Sequence, residues 1–171
     1  MMKNLTVFLA LGLMGCVGYV DVDPETTWDP DATGTIYDGE PEVELGFYRE
    51  QLYTTLEDGN GCPVVNGLQG GTWTMPAIKT LGITPMAWVT CFMVTDTGEE
   101  VARTEVRSQF FRGVENEFEI QSFPIPVFRA GEEADDTVED LYGEMAQLTC
   151  TAMGDDGVSA SYSIRVEIVD D

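Results

Sequence analysis

Histidine is missing from this chain altogether, and cations are scarce: 8 lysines and arginines stand against 31 aspartates and glutamates in 171 residues, a formal net charge of -23. Without imidazole there is no Ser-His-Asp or Cys-His nucleophilic arrangement, no imidazole general base and no His-ligated zinc site. The shortage of cations also excludes nucleic acid as an expected partner, because affinity for phosphate backbones depends on cationic side chains displacing counterions. A pair of carboxylates can hydrolyse glycosides without histidine, but acids scattered along the whole chain nominate no particular pair, so a non-enzymatic role is expected. The plain account of the acidity is solubility, or life in a salty medium where self-repulsion is screened; the sharper account is divalent-cation binding. Also missing is the run of about 20 apolar residues that a permanent membrane helix needs.

What the chain has at its start is a single charge at Lys3, an apolar run from Leu5 to Met14, and small Gly15 before Cys16. That order is the grammar of a removable signal peptide, residues 1–15, since acidic rather than basic residues follow. The four residues Leu13-Met14-Gly15-Cys16 resemble the lipobox of bacterial lipoproteins, with Met14 where Ala, Ser, Thr or Val is commoner. The resemblance implies that Cys16 is acylated and becomes the mature N-terminus, tying the protein to a membrane of the cell envelope. More than one acyl chain makes such an anchor stable. By the same resemblance Val17, in place of the Asp that favours inner-membrane retention, points to the outer membrane.

From Val17 to Glu42 there are eight carboxylates, three prolines and no basic residue, which predicts a disordered acidic tether over 16–42. Inside it, Asp29-Pro-Asp31-Ala-Thr33-Gly34-Thr35-Ile36-Tyr-Asp38-Gly-Glu40 resembles the EF-hand calcium loop. Oxygen donors fall at the first, third, fifth and seventh positions (Asp29, Asp31, Thr33, Thr35), Gly at the sixth and Glu40 at the twelfth. Calcium is therefore the one cofactor the spacing suggests. A solvated linker is the plainer reading, because Pro24, Pro30 and Pro41 crowd the flanks where helices are needed.

From Val43 onward the texture changes to short β-like runs. Strands are expected near Val43 to Tyr48, Gln51 to Leu56, Thr72 to Lys79, Met86 to Thr95, Glu99 to Arg112, Glu117 to Phe123, Glu144 to Ala152 and Ser159 to Val169. Turns are expected at Asp58-Gly59-Asn60-Gly61, Gly70-Gly71, Asp96-Thr97-Gly98 and Asp155-Asp156-Gly157. The last hairpin is the clearest: Ala146, Leu148, Cys150 and Ala152 alternate with polar residues, as do Tyr162, Ile164, Val166 and Ile168. Two prolines between Phe123 and Val127 make that run an edge strand or a connecting loop. Strands of this kind at regular spacing predict an all-β, two-sheet antiparallel β-sandwich over residues 43–171, large enough to fold alone.

With Cys16 assigned to lipid, Cys62, Cys91 and Cys150 remain, and outside the cytoplasm they can be oxidised. Cys91 shares a strand face with Ala87, Val89 and Met93, and Cys150 lies on the apolar face of its own strand. Such a pair resembles the inter-sheet disulfide of immunoglobulin-like domains; a pair using Cys62, and three reduced thiols, are the alternatives. The neighbourhoods are apolar or acidic, so none of the three is a nucleophile candidate.

Gly67-Leu68-Gln69-Gly70-Gly71-Thr72-Trp73 resembles a Gly-x-Gln-Gly-Gly-x-aromatic signature of uncharacterised lipoproteins of myxobacterial type, a family with no activity to carry over. Structurally, Gly70-Gly71 makes a tight turn and Trp73 packs on the sandwich edge; functionally, Gln69 and Trp73 suit contact with a ligand such as a sugar. Taken together, the residues predict a membrane-anchored binding or structural module that meets envelope protein or glycan, with a calcium-dependent module as the alternative.

Overall fold

The computed structural model describes residues 37–67, 70–113, 117–128 and 138–171. The expected signal peptide, Cys16, the expected tether up to residue 36 and Gln69 lie outside the described residues. Among the described residues twelve strands follow one another: β1 Glu42–Arg49, β2 Leu52–Thr55, β3 Asn60–Asn66, β4 Thr72–Thr74, β5 Ala77–Leu81, β6 Met86–Thr95, β7 Glu100–Gln109, β8 Phe111–Arg112, β9 Phe118–Ile120, β10 Ile125–Val127, β11 Met145–Gly154 and β12 Ser159–Asp170. A 3-10 turn, Glu139–Leu141, precedes β11. The fold is all-β with two sheets, as the alternation predicts.

The two sheets differ in kind. One is open, in the order β2-β1-β5-β9-β8; the other closes on itself as β10-β4-β3-β12-β11-β6-β7. Closure rests on β10, where Val127 pairs with Ala102 and the Phe128 amide donates to the Val101 carbonyl at 2.8 Å. The run expected to be an edge or a loop is thus the seam of the barrel. Nor is the arrangement wholly antiparallel: β12 runs parallel to β3 from Val166↔Asn60 to Asp170↔Val64.

Register explains the core. Side chains paired across strands share a face, so Ala102, Met93, Leu148 and Ile164 form one inward row across β7, β6, β11 and β12. Val89 and Ala152 belong to the next inward row but one, and both are buried. Val43, Leu45 and Ile78 of the open sheet join the same apolar cluster, so the two sheets share one core. Each fully buried Leu, Ile, Val or Met there contributes about 1.5–3 kcal/mol of transfer free energy.

Three expected strands are cut by corners at which the chain changes sheet. Thr72 to Lys79 breaks at Met75-Pro76, because Pro76 has no amide to extend a ladder, and its carbonyl instead accepts from the Phe123 amide at 2.8 Å. Glu99 to Arg112 breaks at Phe110, which is buried and donates its amide to the Pro85 carbonyl. The third, Glu117 to Phe123, stops at Ile120, and buried Phe123 lies in the crossing to β10. One strand was not expected at all: β3 begins inside Asp58-Gly59-Asn60-Gly61 and contains Pro63. That proline is tolerated because β4 pairs only with Val65 and Asn66, leaving one flank of Pro63 without a ladder to feed.

Candidate functional site

Cys91 and Cys150 are bonded. They are register partners on the adjacent strands β6 and β11, so the bond ties neighbours within the barrel wall rather than bridging two sheets. This corrects the immunoglobulin-like expectation, in which the bond joins opposite sheets. Cys62 is free and buried, 3.2 Å from the Thr74 hydroxyl, and burial pushes its thiol up to about 11. A thiol held protonated in an apolar interior is neither nucleophile nor metal ligand.

Trp73 stands on β4, opposite Val65 and Pro126, on the outward side of the barrel. Its indole lies over the turn that precedes it. Gly71 has φ +83°, and a Cβ there would come within 3.2 Å of the indole nitrogen; one on Gly67 would come within 3.3 Å. The turn is closed by the Gly67 amide donating to the Gly71 carbonyl at 2.9 Å. The glycines of the signature therefore make room for the ring and supply a backbone conformation that L side chains rarely adopt. Of the calcium-loop residues, Asp29, Asp31, Thr33 and Thr35 lie outside the described residues, while Glu40 is exposed just ahead of β1. Among the described residues no three acidic or cysteine side chains gather as a metal-holding group.

Two outward faces carry the chemistry the domain offers. On the open sheet, Glu44 pairs with Lys79 across β1 and β5, and Lys79 with Glu119 across β5 and β9. The Lys79 ammonium sits 4.0 Å from the centre of the Tyr53 ring and 3.2 Å from Glu117 Oε2. Tyr53 reaches this position because Gly46 beneath it has no side chain: a Cβ there would meet the ring at 2.6 Å. The Tyr48 hydroxyl donates to Glu119 Oε2 at 2.7 Å, and that bond, with burial, raises its phenol to about 12. Burial, with Glu44 beside it, likewise holds the Tyr53 phenol protonated. Phenols shifted upward cannot serve as bases near neutral pH, so the cluster stiffens the sheet rather than doing acid–base work.

The second face is the outside of the barrel over β7, β6, β11 and β12. Strands β6 and β11, ten residues each, contain no charged residue. Their outward side chains are Met86, Trp88, Thr90, Phe92 and Val94 on one, and Met145, Gln147, Thr149, Thr151 and Met153 on the other. Trp88 and Met153 are register partners, 43% and 44% exposed. Beside them hydroxyls pair across β11 and β12: Thr149 with Ser163 at 2.6 Å, and Thr151 with Ser161 at 2.9 Å, while the Gln147 amide donates to Ser163 at 2.8 Å. Ions stand directly beside this band: Arg103, Glu105 and Arg107 on β7 oppose Phe92, Thr90 and Trp88, and Arg165 on β12 opposes Gln147, with Arg103 held by Glu100, Arg107 by Asp155 and Arg165 by Asp96. Sequence reasoning placed Ala87, Val89, Cys91 and Met93 inward and so had the signal for this face; it did not follow the alternate residues outward to Trp88 and Phe92. No family model, curated protein or solved structure matches this chain.

Proposed function

We propose that the protein is a lipid-anchored, non-enzymatic binding or structural module of the cell envelope, held by Cys16 at a membrane, the outer membrane in a two-membrane envelope. The observation that carries the reading is the apolar run from Leu5 to Met14 ending in Gly15-Cys16. The Cys91–Cys150 bond supports it, because disulfides persist in oxidising compartments and not in the cytosol. The non-enzymatic part is supported by the absence of histidine and by the character of the titratable groups described above. Cys62 is masked, Tyr48 and Tyr53 are held protonated, and Arg103, Arg107 and Arg165 are occupied by acids.

The test is intact mass and membrane fractionation of the native protein beside Cys16→Ser. The expected result is a native form that lacks residues 1–15, carries acyl mass and sediments with membrane, and a variant that does none of these. Two soluble, unacylated forms would sink the anchor and make Cys16 a fourth thiol of a secreted domain.

A further inference from the structure

We propose that the apolar end of the uncharged band, Met86 and Trp88 on β6 with Met153 on β11, is a second membrane contact: it seats in the headgroup zone of a zwitterionic phospholipid bilayer to which the chain is already tied. The inference rests on the anchor proposed above, which supplies the bilayer, and adds the surface that meets it.

Side chains alternate along a strand, so Met86 and Trp88 leave β6 on one face, and Met153 is the register partner of Trp88. Trp88 and Met153 are each nearly half exposed. Exposed Val158 stands next to them, where the Gly154 amide donates to its carbonyl at 2.8 Å. A single exposed apolar residue needs no explanation, whereas a tryptophan with a methionine partner and a valine at one end of a barrel makes a patch. Ions border it: Arg107 opposes Trp88 and is held by Asp155, and Asp156 accepts from the Val158 amide. Phe92, further along the band, has the Arg103 guanidinium over its ring and takes no part.

That mixture selects the occupant. An indole favours a boundary where its apolar body and its wet N–H are both satisfied, which is the headgroup level of a bilayer, and an ion pair beside it stays hydrated there. A protein partner would need more surface. The uncharged band is two strands wide, about 10 Å by 33 Å, a footprint under half of the roughly 800 Å² that each partner gives to a stable interface. A tethered domain needs less, because the anchor keeps the bilayer within reach and makes docking an intramolecular step. Residues 17–36 span at most about 70 Å and a domain of this size is about 35–40 Å across, so any of its faces can be brought to the surface. Charge then selects the lipid. A chain of net charge -23 is repelled by anionic headgroups, which leaves zwitterionic ones.

The experiment couples residues 16–171 through the Cys16 thiol to a maleimide lipid in vesicles of phosphatidylcholine and phosphatidylethanolamine. Cys62 is buried and the other two cysteines are bonded, which leaves Cys16 to react. The patch is thereby read whether or not the native chain is acylated, while fractionation of Cys16→Ser reads the anchor separately. Phosphatidylcholine carrying a nitroxide on its headgroup quenches tryptophan at that depth. The expected result is quenching that falls several-fold in Trp88→Phe and as far in Met153→Asp, which keeps the indole but puts a charge beside it. Trp73→Phe should lose as much signal to the quencher as the parent does. Exchanging part of the lipid for phosphatidylglycerol should weaken the quenching, and high salt should restore it. Thermal unfolding checks each variant, and Met153→Gln replaces Met153→Asp if the latter does not fold, with a smaller loss expected. Quenching of the parent no greater than that of Trp88→Phe overturns the proposal, and so does quenching that phosphatidylglycerol strengthens. A parent that is dimeric by light scattering and becomes monomeric with Met153→Asp also overturns it, by giving the patch to a second copy.

Discussion

The outward face of the open sheet gathers Glu44, Glu117 and Glu119 about one cation, Lys79, whereas on the barrel Trp88, Thr90, Phe92, Thr149 and Thr151 make an uncharged band two strands wide, bordered by Arg103, Glu105 and Arg107 on β7 and by Arg165 on β12. The difference follows from the edges. An open sheet ends in strands with unpaired amides and carbonyls, here β2 and β8, and charge close to those edges discourages other chains from adding to them. A closed ring has no edge to guard, so two neighbouring strands of its wall can go without charge. The two faces also use aromatics differently. Tyr53 lies down on Gly46 under Lys79, while Trp88 stands 43% exposed beside another exposed apolar side chain.

The comparison breaks hardest at the disulfide. Replacing Cys91 and Cys150 together by Ala releases a loop of 59 residues, and chain entropy sets the loss at about 4 kcal/mol. Urea unfolding of the variant measures it. A loss no larger than that of an ordinary core truncation would show that the barrel wall is held by its hydrogen-bond ladder and packing alone. On the open sheet the corresponding weak point is Gly46. An added Cβ would press on the Thr54 carbonyl oxygen and sit 2.6 Å from the Tyr53 ring, so Gly46→Ala must both shift the β2 backbone and lift the ring from beneath Lys79. Overpacking of this kind costs about 1–3 kcal/mol. The checks are the melting temperature and tyrosine fluorescence, with the tryptophan signal of the barrel face unchanged.

The smallest effect is in pH. Tyr48 has its phenol raised from the ordinary value near 10 to about 12, chiefly by its bond to Glu119. A group raised on folding adds stability that is fully present below the unfolded value and is lost as pH climbs through the folded one. The parent should therefore lose stability between about pH 10 and 12 more steeply than Tyr48→Phe, which has no phenol to ionise there. Parallel curves for the two proteins would show that the Tyr48–Glu119 bond contributes nothing to the open sheet.

Legibility in the sequence varied with the kind of order involved. The strand Met86 to Thr95 was legible to the residue, because small or apolar side chains alternate along all of it. The β11–β12 hairpin was equally plain, since Asp155-Asp156-Gly157 punctuates two alternating runs and Gly157 takes φ +83°. The corners at Pro76 and Phe110 were not, because a run of β-forming residues looks the same whether it stays in one sheet or crosses to another. Strand β3 was hidden by Gly61 and Pro63, whose local preferences say turn. Its place is decided by distant β12, which offers a parallel partner on one flank. At the candidate site, the inward half of β6 was read and the outward half was left unread, since an apolar residue facing solvent has no periodic signature of its own.

Composition and order alone determined that this is a β protein of extreme acidity, without imidazole chemistry, with a disulfide-capable pair on apolar strand faces and an apolar run before Cys16. Those properties are local: each depends on a residue type or on a two-residue alternation, and neither needs a partner strand to be known. Tertiary structure decided that Cys91 and Cys150 are neighbours in one wall, that β10 seals a barrel, and that the uncharged outward halves of β6 and β11 lie side by side. These are pairings between segments tens of residues apart. Which strand lies beside which is set by the burial of one shared core, a property of the whole chain rather than of any stretch of it.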